Sequence, residues 1–346
     1  MGVHAGVSER KPDDLILLSH GSGGVSSHTL VERLVRHISN RTLARMDDSA
    51  LIETHGRIAF TTDSYTVDPL FFPGGDIGRL AVCGTVNDLA MVGAEPVGLS
   101  LALIIEEGLE AHVLDAVMKS VHEACETAGV DIITGDTKVV NRGKADRLFI
   151  TTSGIGVIRT GVEISGHNAR PGDAILINGT VGDHGVAIMG AREGMAFSSR
   201  IESDCAPLNG LVSAMLATAP AGAIHVLRDP TRGGLASTLN EVAAQSGVEI
   251  LIDESSVPVR ADVRFACEML GLDPFHVANE GKLVAIVAPE SADKVIEAMR
   301  THPLGESAAF IGEVKAGTPG RVVVRTPMGP SRLLVMMSGE LLPRIC

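Results

Sequence analysis

Apolar residues recur at two different spacings in the first half of the chain, and each spacing predicts a different kind of element. Leu30, Leu34 and Ile38 repeat at helical intervals, which predicts an amphipathic helix over residues 28–38. A second helical pattern covers residues 109–129. Apolar runs bounded by turn residues predict strands at residues 57–64, 96–105, 130–140 and 147–158. The first half is therefore predicted to be α/β.

Asp76 stands at the start of a further predicted helix. Its carboxylate can accept a hydrogen bond from the first free backbone N–H groups of a helix that runs through residues 77–94. Gly93 and Pro96 are typical residues at the end of a helix. We therefore expect the helix to stop there and the next strand to begin at Pro96.

A polar segment interrupts the pattern in the middle of the chain. The sequence "ISGHNARPGD" is rich in Gly, Asn and Pro and precedes the apolar strand "AILING", which predicts a domain boundary near residues 162–172. A second series of strands and helices follows it. With 346 residues, each half is long enough to bury a core of its own.

Composition and charge argue against several functional classes for this protein. The chain has 29 basic and 42 acidic residues and no basic run, so nucleic-acid binding is not expected. Its apolar runs are too short to span a membrane, and its first residues lack the apolar stretch of a signal peptide, so we expect no such signal. The cysteines at positions 83, 125, 205, 267 and 346 form no paired spacing. We expect a cytoplasmic protein without a zinc site or disulfides, in which Cys83, Cys125 and Cys267 are packed on helices.

Five aspartates lie in turns or at strand ends beside small residues. Several carboxylates that converge on one point repel each other unless a cation such as Mg²⁺ neutralises them. Each aspartate taken alone is better explained as a helix cap or a turn residue. The candidates are Asp48, Asp63, Asp88, Asp136 and Asp229.

The glycine cluster "SHGSGG" offers backbone N–H groups that suit a phosphate at the start of a helix, although a bare turn would have the same sequence. Two further charged residues are candidates for catalysis. Glu280 in "ANEGK" is a candidate general base, and Lys138 in "GDTK" is a candidate phosphate or oxyanion contact. Loops with solvated charges are the alternative for both. Cys346 ends the chain, and is either an idle surface thiol or a reacting group.

Taken together and in order, these motifs resemble the HypE family of hydrogenase maturation factors. That family lies within the PurM-like group of ATP-using enzymes, which are built like aminoimidazole ribonucleotide synthetase. The resemblance covers residues from about 15 to 346. The segments that resemble it include "SHGSGG", "TTDSYTVDPLFFPGGDIGRLAVCGTVNDLAMVGAEP", "GDTKVV", "PGDAILINGTVGDHGVAIMGAREG", "SDCAPL", "RDPTRGGLASTLNEVA", "CEMLGLDPFHVANEGK" and the terminal "PRIC".

The resemblance implies a two-domain α/β (α+β) architecture. Its N-terminal domain would pair with its twin to form a β-barrel across a homodimer, and a C-terminal α/β domain would lie beside it. In this sequence the division is a variable leader at 1–14, an ATP-binding and dimerising domain at 15–165, a C-terminal domain at 166–337 and a flexible tail at 338–346.

The resemblance also implies a reaction. Cys346 would accept a carbamoyl group from a HypF-type carbamoyltransferase, and ATP-dependent dehydration would convert it to a thiocyanate. The cyano group would pass to a HypC–HypD complex for the iron of [NiFe]-hydrogenase. The alternatives are a related kinase or synthetase, such as selenophosphate synthetase or thiamine-monophosphate kinase, and a non-catalytic ATP-binding thiol carrier.

The resemblance assigns roles to the candidate residues. Glu280 would be the base, and Lys138 would steady the developing charge or the phosphate near Cys346. The lead Mg²⁺ ligands would be Asp48, Asp88 and Asp229. The nucleotide would be bound by Gly21, Gly23, Gly24, Asp63, Asp136 and Asn279.

Overall fold

The computed structural model of the protein describes residues 15–21, 24–43, 50, 52–194, 201–337 and 344–346. Its first half contains three helices and six strands within those residues. The helices are α1 (Gly24–Ile38), α2 (Ile77–Met91) and α3 (Ala111–Ala128). The strands are β1 (Ile58–Tyr65), β2 (Phe71–Phe72), β3 (Gly75–Asp76), β4 (Ala94–Glu106), β5 (Ile132–Val140) and β6 (Leu148–Ile158).

The first sheet has helices on one face only. Its strand order is β1-β6-β4-β5, with β4 antiparallel to β6 and parallel to β5. Helix α2 packs on β1, β4 and β6, and α3 packs on α2. On the opposite face the side chains of Ile58 and Phe60 are exposed. In the described residues β1 and β5 are edge strands, so the single chain closes no barrel there.

Helix α2 begins where the sequence predicts. The Asp76 carboxylate accepts hydrogen bonds from the N–H groups of Gly78 at 2.7 Å and Arg79 at 3.2 Å. The helix ends at Met91, before Gly93, and Pro96 lies in the strand that follows, as predicted, although β4 begins two residues earlier, at Ala94.

Pro96 is tolerated inside β4 because of local pairing. Strand β5 pairs with β4 only from Leu99 onward, so no partner there requires an N–H group from Pro96. On the other side, the register with β6 shifts between Pro96 and Gly98. A bulge of this kind is where a strand accepts proline.

The second half is built around a seven-stranded sheet of order β13-β12-β9-β11-β7-β10-β8. Its strands are β7 (Ala174–Ile177), β8 (Ile224–Arg228), β9 (Glu249–Asp253), β10 (Val284–Val287), β11 (Ala309–Lys315), β12 (Arg321–Arg325) and β13 (Ser331–Leu333). The helices are α4 (Asp183–Glu193), α5 (Asn209–Thr218), α6 (Gly234–Ser246), α7 (Ala261–Leu270) and α8 (Ala292–Arg300). Two apolar clusters lie against this sheet, one containing residues of α6 and the other residues of α5 and α8.

The two halves share part of their core. The connection between β6 and β7 contains the predicted boundary at residues 162–172. The apolar cluster of the first half also takes in Ile188, Cys205, Ala278 and Ile345 from the second half and the tail. These residues converge on the groove between the sheets, which is where the candidate site lies.

The cysteines outside the tail are buried. Cys83, Cys125 and Cys267 lie on helices, as predicted, and Cys205 lies in a loop. All five cysteines of the chain are free thiols. None of the helices in the described ranges combines the length and apolar character that a membrane span requires.

Candidate active site

Three of the predicted aspartates meet at one edge of the groove. Because side chains alternate along a strand, Asp63 shares the α2-facing side of β1 with Thr61, whose hydroxyl donates to Asp88 on α2 at 2.6 Å. Asp229 follows β8 directly. Burial and then Asp88 raise the pKa of Asp63 to about 6, and the same two causes raise the pKa of Asp229 to about 7. The carboxylates are thus close enough to repel one another.

Glu280 lies beside this acidic group, in the loop before β10. Its side chain is buried. Its N–H donates to Asp204 Oδ1 at 3.0 Å, and its carbonyl accepts from the Asn87 amide at 3.2 Å. Burial, followed by the charge of Asp229, raises the pKa of Glu280 well above its usual range. Once ionised, this carboxylate is a stronger base than an ordinary glutamate.

The last three residues lie in the same groove. Thr66 N–H donates to the Cys346 carbonyl at 3.1 Å, and Asp68 N–H donates to the Arg344 carbonyl at 3.2 Å. Through these two bonds the tail runs antiparallel to the residues that follow β1. Ile345 is buried, and its carbonyl lies 2.7 Å from His184 Nε2.

This pairing places the Cys346 thiol among the acidic residues. Burial and then the charge of Glu280 raise the pKa of the thiol to about 12, Arg232 opposes the rise, and Asp63 adds to it. One groove of one chain therefore holds a thiol, a buried carboxyl group of raised pKa and three further carboxylates. That set suits proton transfer from a group attached to the sulfur, beside a site for a cation and its ligand.

Comparisons with known proteins agree with this geometry. The N-terminal domain family of AIR synthase related proteins matches residues 46–158, and the C-terminal domain family matches residues 170–325. Carbamoyl dehydratase HypE of Azotobacter vinelandii is 53% identical over 329 residues, covering 94% of this chain and 96% of that protein. The chain belongs to the HypE family. Its mixed α/β fold is accordingly the two-domain PurM-like fold of that family.

Two solved structures of the HypE family superpose on this fold. A crystal structure of HypE in complex with ATP has a TM-score of 0.92 and 51% identity, covering 95% of this chain and 99% of that one. A HypE–HypF complex has a TM-score of 0.79 and 49% identity, covering 89% of this chain and 99% of that one.

The remaining predicted residues of this HypE family member lie in other places. Asp48 and Gly23 fall outside the described residues. Gly21 and Asp136 both line a cavity of about 480 Å³ between α1 and strands β4 and β5. That volume lies within the range of small-molecule sites. Gly24 is the first residue of α1.

Lys138 is separate from the groove. It lies on β5 with its ammonium 2.7 and 2.6 Å from the two carboxylate oxygens of Asp136. Both side chains are exposed on the open face of the first sheet. The hydrogen bond from Lys138 lowers the pKa of Asp136. The structure thus pairs these two predicted residues with each other and does not bring them to Glu280 within the single chain.

The side chain of Asn279 forms hydrogen bonds to the backbone of two neighbouring loops. Its side-chain oxygen accepts from Gly182 N–H at 2.8 Å, and its amide nitrogen donates to the Pro230 carbonyl at 2.8 Å. It is buried, so in this structure it fixes the loop that contains Glu280. Direct contact of Asn279 with a nucleotide remains a prediction.

Several residues of the site are absent from the sequence-based list. Arg232 acts on both Asp63 and Cys346, while Asp204 and His184 contact Glu280 and the tail. Arg232 and Asp204 occur in the segments "RDPTRGG" and "SDCAPL", so the motifs contained the signal. Nothing in the spacing of the sequence indicates that these side chains face Glu280.

Proposed function

We propose that this protein is an ATP-dependent carbamoyl dehydratase that converts an S-carbamoyl group on Cys346 to a thiocyanate. The observation that supports this most directly is the binding of the tail backbone by Thr66 and His184, which places the Cys346 thiol where the charges of Glu280 and Asp63 act on it. The named activity of relatives such as the Azotobacter vinelandii protein supports it independently. The product would provide the cyanide ligand for the iron of [NiFe]-hydrogenase.

The reaction balances as follows. The carbamoyl oxygen attacks the γ-phosphorus of ATP, and ADP leaves. A base then removes the N–H protons as the C–O bond breaks, so that phosphate departs and a C≡N bond forms on the sulfur. Glu280 is the base in this scheme, because it is buried beside the sulfur and its raised pKa makes its carboxylate a strong acceptor.

The carboxylates fit a Mg²⁺ ion that is bound together with a nucleotide. In the described part of the chain no three His, Cys, Asp or Glu side chains form a preformed metal cage. Mg²⁺ usually takes one or two carboxylates and completes its shell with phosphates and water. Asp88 and Asp229 would hold it with Asp48, whose position lies outside the described residues. The bound ion would supply neutralisation of the carboxylates and of the phosphate charge.

The nucleotide would be bound by residues of the groove and of the cavity beside β5. Gly21 and Asp136 line the cavity of about 480 Å³, whose apolar wall suits a nucleobase. Gly23, Gly24 and Asp63 would contact the phosphates, with Asn279 holding the loop behind them. The HypE structure solved with ATP supports a nucleotide site in this fold.

Partner proteins follow from the same proposal. The HypE–HypF complex supports a HypF-type carbamoyltransferase as the donor, and the family resemblance implies a HypC–HypD complex as the acceptor.

The uncovered face of the first sheet, with Phe60 exposed, would pair with a second copy in a homodimeric barrel. Lys138 lies on that face, so it would meet reacting groups across the dimer or after rearrangement. For Cys346 to reach a donor, residues 344–346 would move out of the groove.

Mass analysis of the C-terminal peptide tests the proposal. After incubation with a HypF-type carbamoyltransferase, carbamoyl phosphate and ATP, we expect one carbamoyl group on Cys346, followed by loss of one water when Mg-ATP is added. A Cys346→Ala variant should accept no carbamoyl group while still binding ATP. A stable adduct without water loss would favour the non-catalytic carrier, and no adduct would favour a related kinase or synthetase.

A further inference from the structure

Residues 203–205, from the segment "SDCAPL", connect Glu280 with the tail. Asp204 bonds to Glu280, and Ser203 bonds to His184, which contacts the tail. The Asp204 carboxylate accepts from Glu280 N–H at 3.0 Å and lies 2.9 Å from the Lys282 ammonium. The charge of Lys282 contributes to lowering the pKa of Asp204, so this carboxylate stays ionised behind Glu280. The neighbouring Ser203 bonds to His184, which in turn bonds to the tail.

Ser203, His184 and the Ile345 carbonyl form a chain of two hydrogen bonds. When the His184 imidazole is neutral, only one assignment of donors and acceptors is possible. The Ile345 carbonyl only accepts, so His184 Nε2 must donate to it across 2.7 Å. His184 Nδ1 is then an acceptor, and the Ser203 hydroxyl donates to it at 2.8 Å. Ser203 Oγ in turn accepts from Cys205 N–H at 3.1 Å. Burial lowers the pKa of His184, which favours the neutral form that this chain of bonds requires.

The segment is held firmly in place. Ser203 N–H donates to the Pro73 carbonyl at 2.8 Å, and Arg79 Nε donates to the Cys205 carbonyl at 3.0 Å. The backbone also approaches Gly281 so closely that a Cβ there would lie 1.8 Å from the Asp204 carbonyl oxygen. Only glycine permits that approach. Glu280 and the segment that positions it are therefore packed as one unit.

We propose that His184, Ser203 and Asp204 are positioning residues that bring the two reacting groups together. Asp204 holds the backbone of Glu280, while Ser203 and His184 hold the Ile345 carbonyl and so keep the Cys346 thiol within the electrostatic influence of Glu280. The role in dehydration rests on the proposed function above. The role in seating the tail does not depend on it.

Alkylation of Cys346 tests the seating of the tail without ATP or a carbamoyl donor. The full-length protein is treated with iodoacetamide, and modification of the C-terminal peptide is followed by mass spectrometry. His184→Leu and Ser203→Ala should each speed alkylation at Cys346 by about five- to tenfold, the effect of losing one buried hydrogen bond. Alkylation of Cys125, which is buried on α3, should stay slow, which separates release of the tail from general loosening.

A matched control is available in His302. Its Nδ1 also accepts a backbone hydrogen bond, from Leu304 N–H at 3.2 Å. We expect His302→Leu to leave the alkylation of Cys346 unchanged. Equal rates in the parent protein, His184→Leu and Ser203→Ala would overturn the proposal, as would acceleration at Cys125 equal to that at Cys346.

The reaction provides a second test. With protein already carbamoylated on Cys346, His184→Leu should lower the single-turnover rate of water loss by about tenfold to a hundredfold, because a misplaced reacting group costs that much. The ATP concentration for half-maximal rate should change little. His184→Gln supplies a donor amide and should restore part of the rate. Full activity of His184→Leu would contradict the positioning role, whereas an inactive parent protein would count against the proposed function instead.

Discussion

Cys346 is a weak nucleophile where it is seated. A thiol with a pKa of about 12 is almost entirely protonated at neutral pH, and the cause is burial beside the Glu280 carboxyl. Burial disfavours the thiolate because the thiolate is charged. A carbamoylated sulfur is neutral, so burial does not disfavour it. The groove therefore suits the thioester-like adduct better than the thiolate, and we expect carbamoyl transfer to occur with the tail outside the groove.

Glu280→Gln removes the base and keeps the shape of the side chain. We expect this variant to accept the carbamoyl group normally but to lose water about a hundredfold to ten-thousandfold more slowly. The measurement is the mass of the C-terminal peptide over time with Mg-ATP. Glu290→Gln, at an exposed position, serves as the control and should behave as the parent. Normal water loss in Glu280→Gln would remove Glu280 as the base.

Asp229→Asn should stabilise the metal-free protein at high pH. The folded-state pKa of Asp229 is about 7, above the ordinary aspartate value that the unfolded chain shows. Its contribution to stability is therefore complete below that ordinary value and is lost as the pH rises through about 7. At pH 8 the substitution should raise the free energy of unfolding by on the order of 1 to 4 kcal/mol, measured by urea denaturation with EDTA.

The same series at pH 5 provides the internal comparison. There the gain from Asp229→Asn should be smaller, because the native carboxyl is already protonated. Asp293→Asn, at an exposed position, should leave the slope of stability against pH unchanged. If Asp229→Asn destabilises the protein equally at both pH values, the carboxylates do not repel one another as described.

At the scale of elements, helix α2 connects the two halves through Asn87. Its amide nitrogen donates to the carbonyls of Ala206 at 3.1 Å and Glu280 at 3.2 Å, and its oxygen accepts from Leu208 N–H at 2.7 Å. The next residue along the helix is Asp88. One turn of α2 therefore sets the distance between a candidate metal ligand and the loop of the base.

Asn87→Ala should weaken this connection. It leaves three buried backbone groups without these partners, and each such group costs about 1 to 3 kcal/mol, so we expect a loss of about 3 kcal/mol or more in urea unfolding. Asn168→Ala removes an exposed side-chain bond to the Glu163 carbonyl and should cost well under 1 kcal/mol. Equal losses in the two variants would show that Asn87 is not a link of this kind.

Sequence patterns predicted individual elements better than their contacts. The cap at Asp76 is a local interaction between neighbours in the chain, so its prediction is confirmed. The predicted strand at Pro96 is confirmed, but its start at Ala94 was missed because that start depends on pairing with β6. Asp63, Asp88 and Asp229 were named from local turn composition, whereas Arg232 and His184 were missed because their role depends on contacts with distant parts of the chain.

At the scale of the whole molecule, the first sheet leaves one face uncovered. On that face 69% of Phe60 and 53% of Ile58 are exposed, while α2 and α3 lie on the opposite side. Exposed apolar residues on a sheet face mark an interaction surface. A second copy that covered this face would also bring a second Lys138 into the shared interior.

Phe60→Asp should therefore produce monomers. A carboxylate in the interior of a homodimeric barrel would be buried without a partner, at a cost that a dimer contact does not offset. Sedimentation velocity measures the change in mass. Met328→Asp, at a residue that is 90% exposed elsewhere, should leave the dimer intact. A parent protein that sediments as a monomer, or a Phe60→Asp variant that remains dimeric, would contradict the homodimer.

The sequence by itself determined the elements, the α/β class, the family and most of the acidic residues, because these depend on local periodicity and short motifs. It also singled out Cys346 and Glu280. Only the tertiary structure decided that the two lie together, that Lys138 pairs with Asp136 on the open face, and that His184 holds the tail. The contact of His184 with the tail spans 161 residues of chain, so it depends on how distant segments pack. Lys138 and Asp136 are only two residues apart, but the arrangement of the strands decides that their face of the sheet is uncovered.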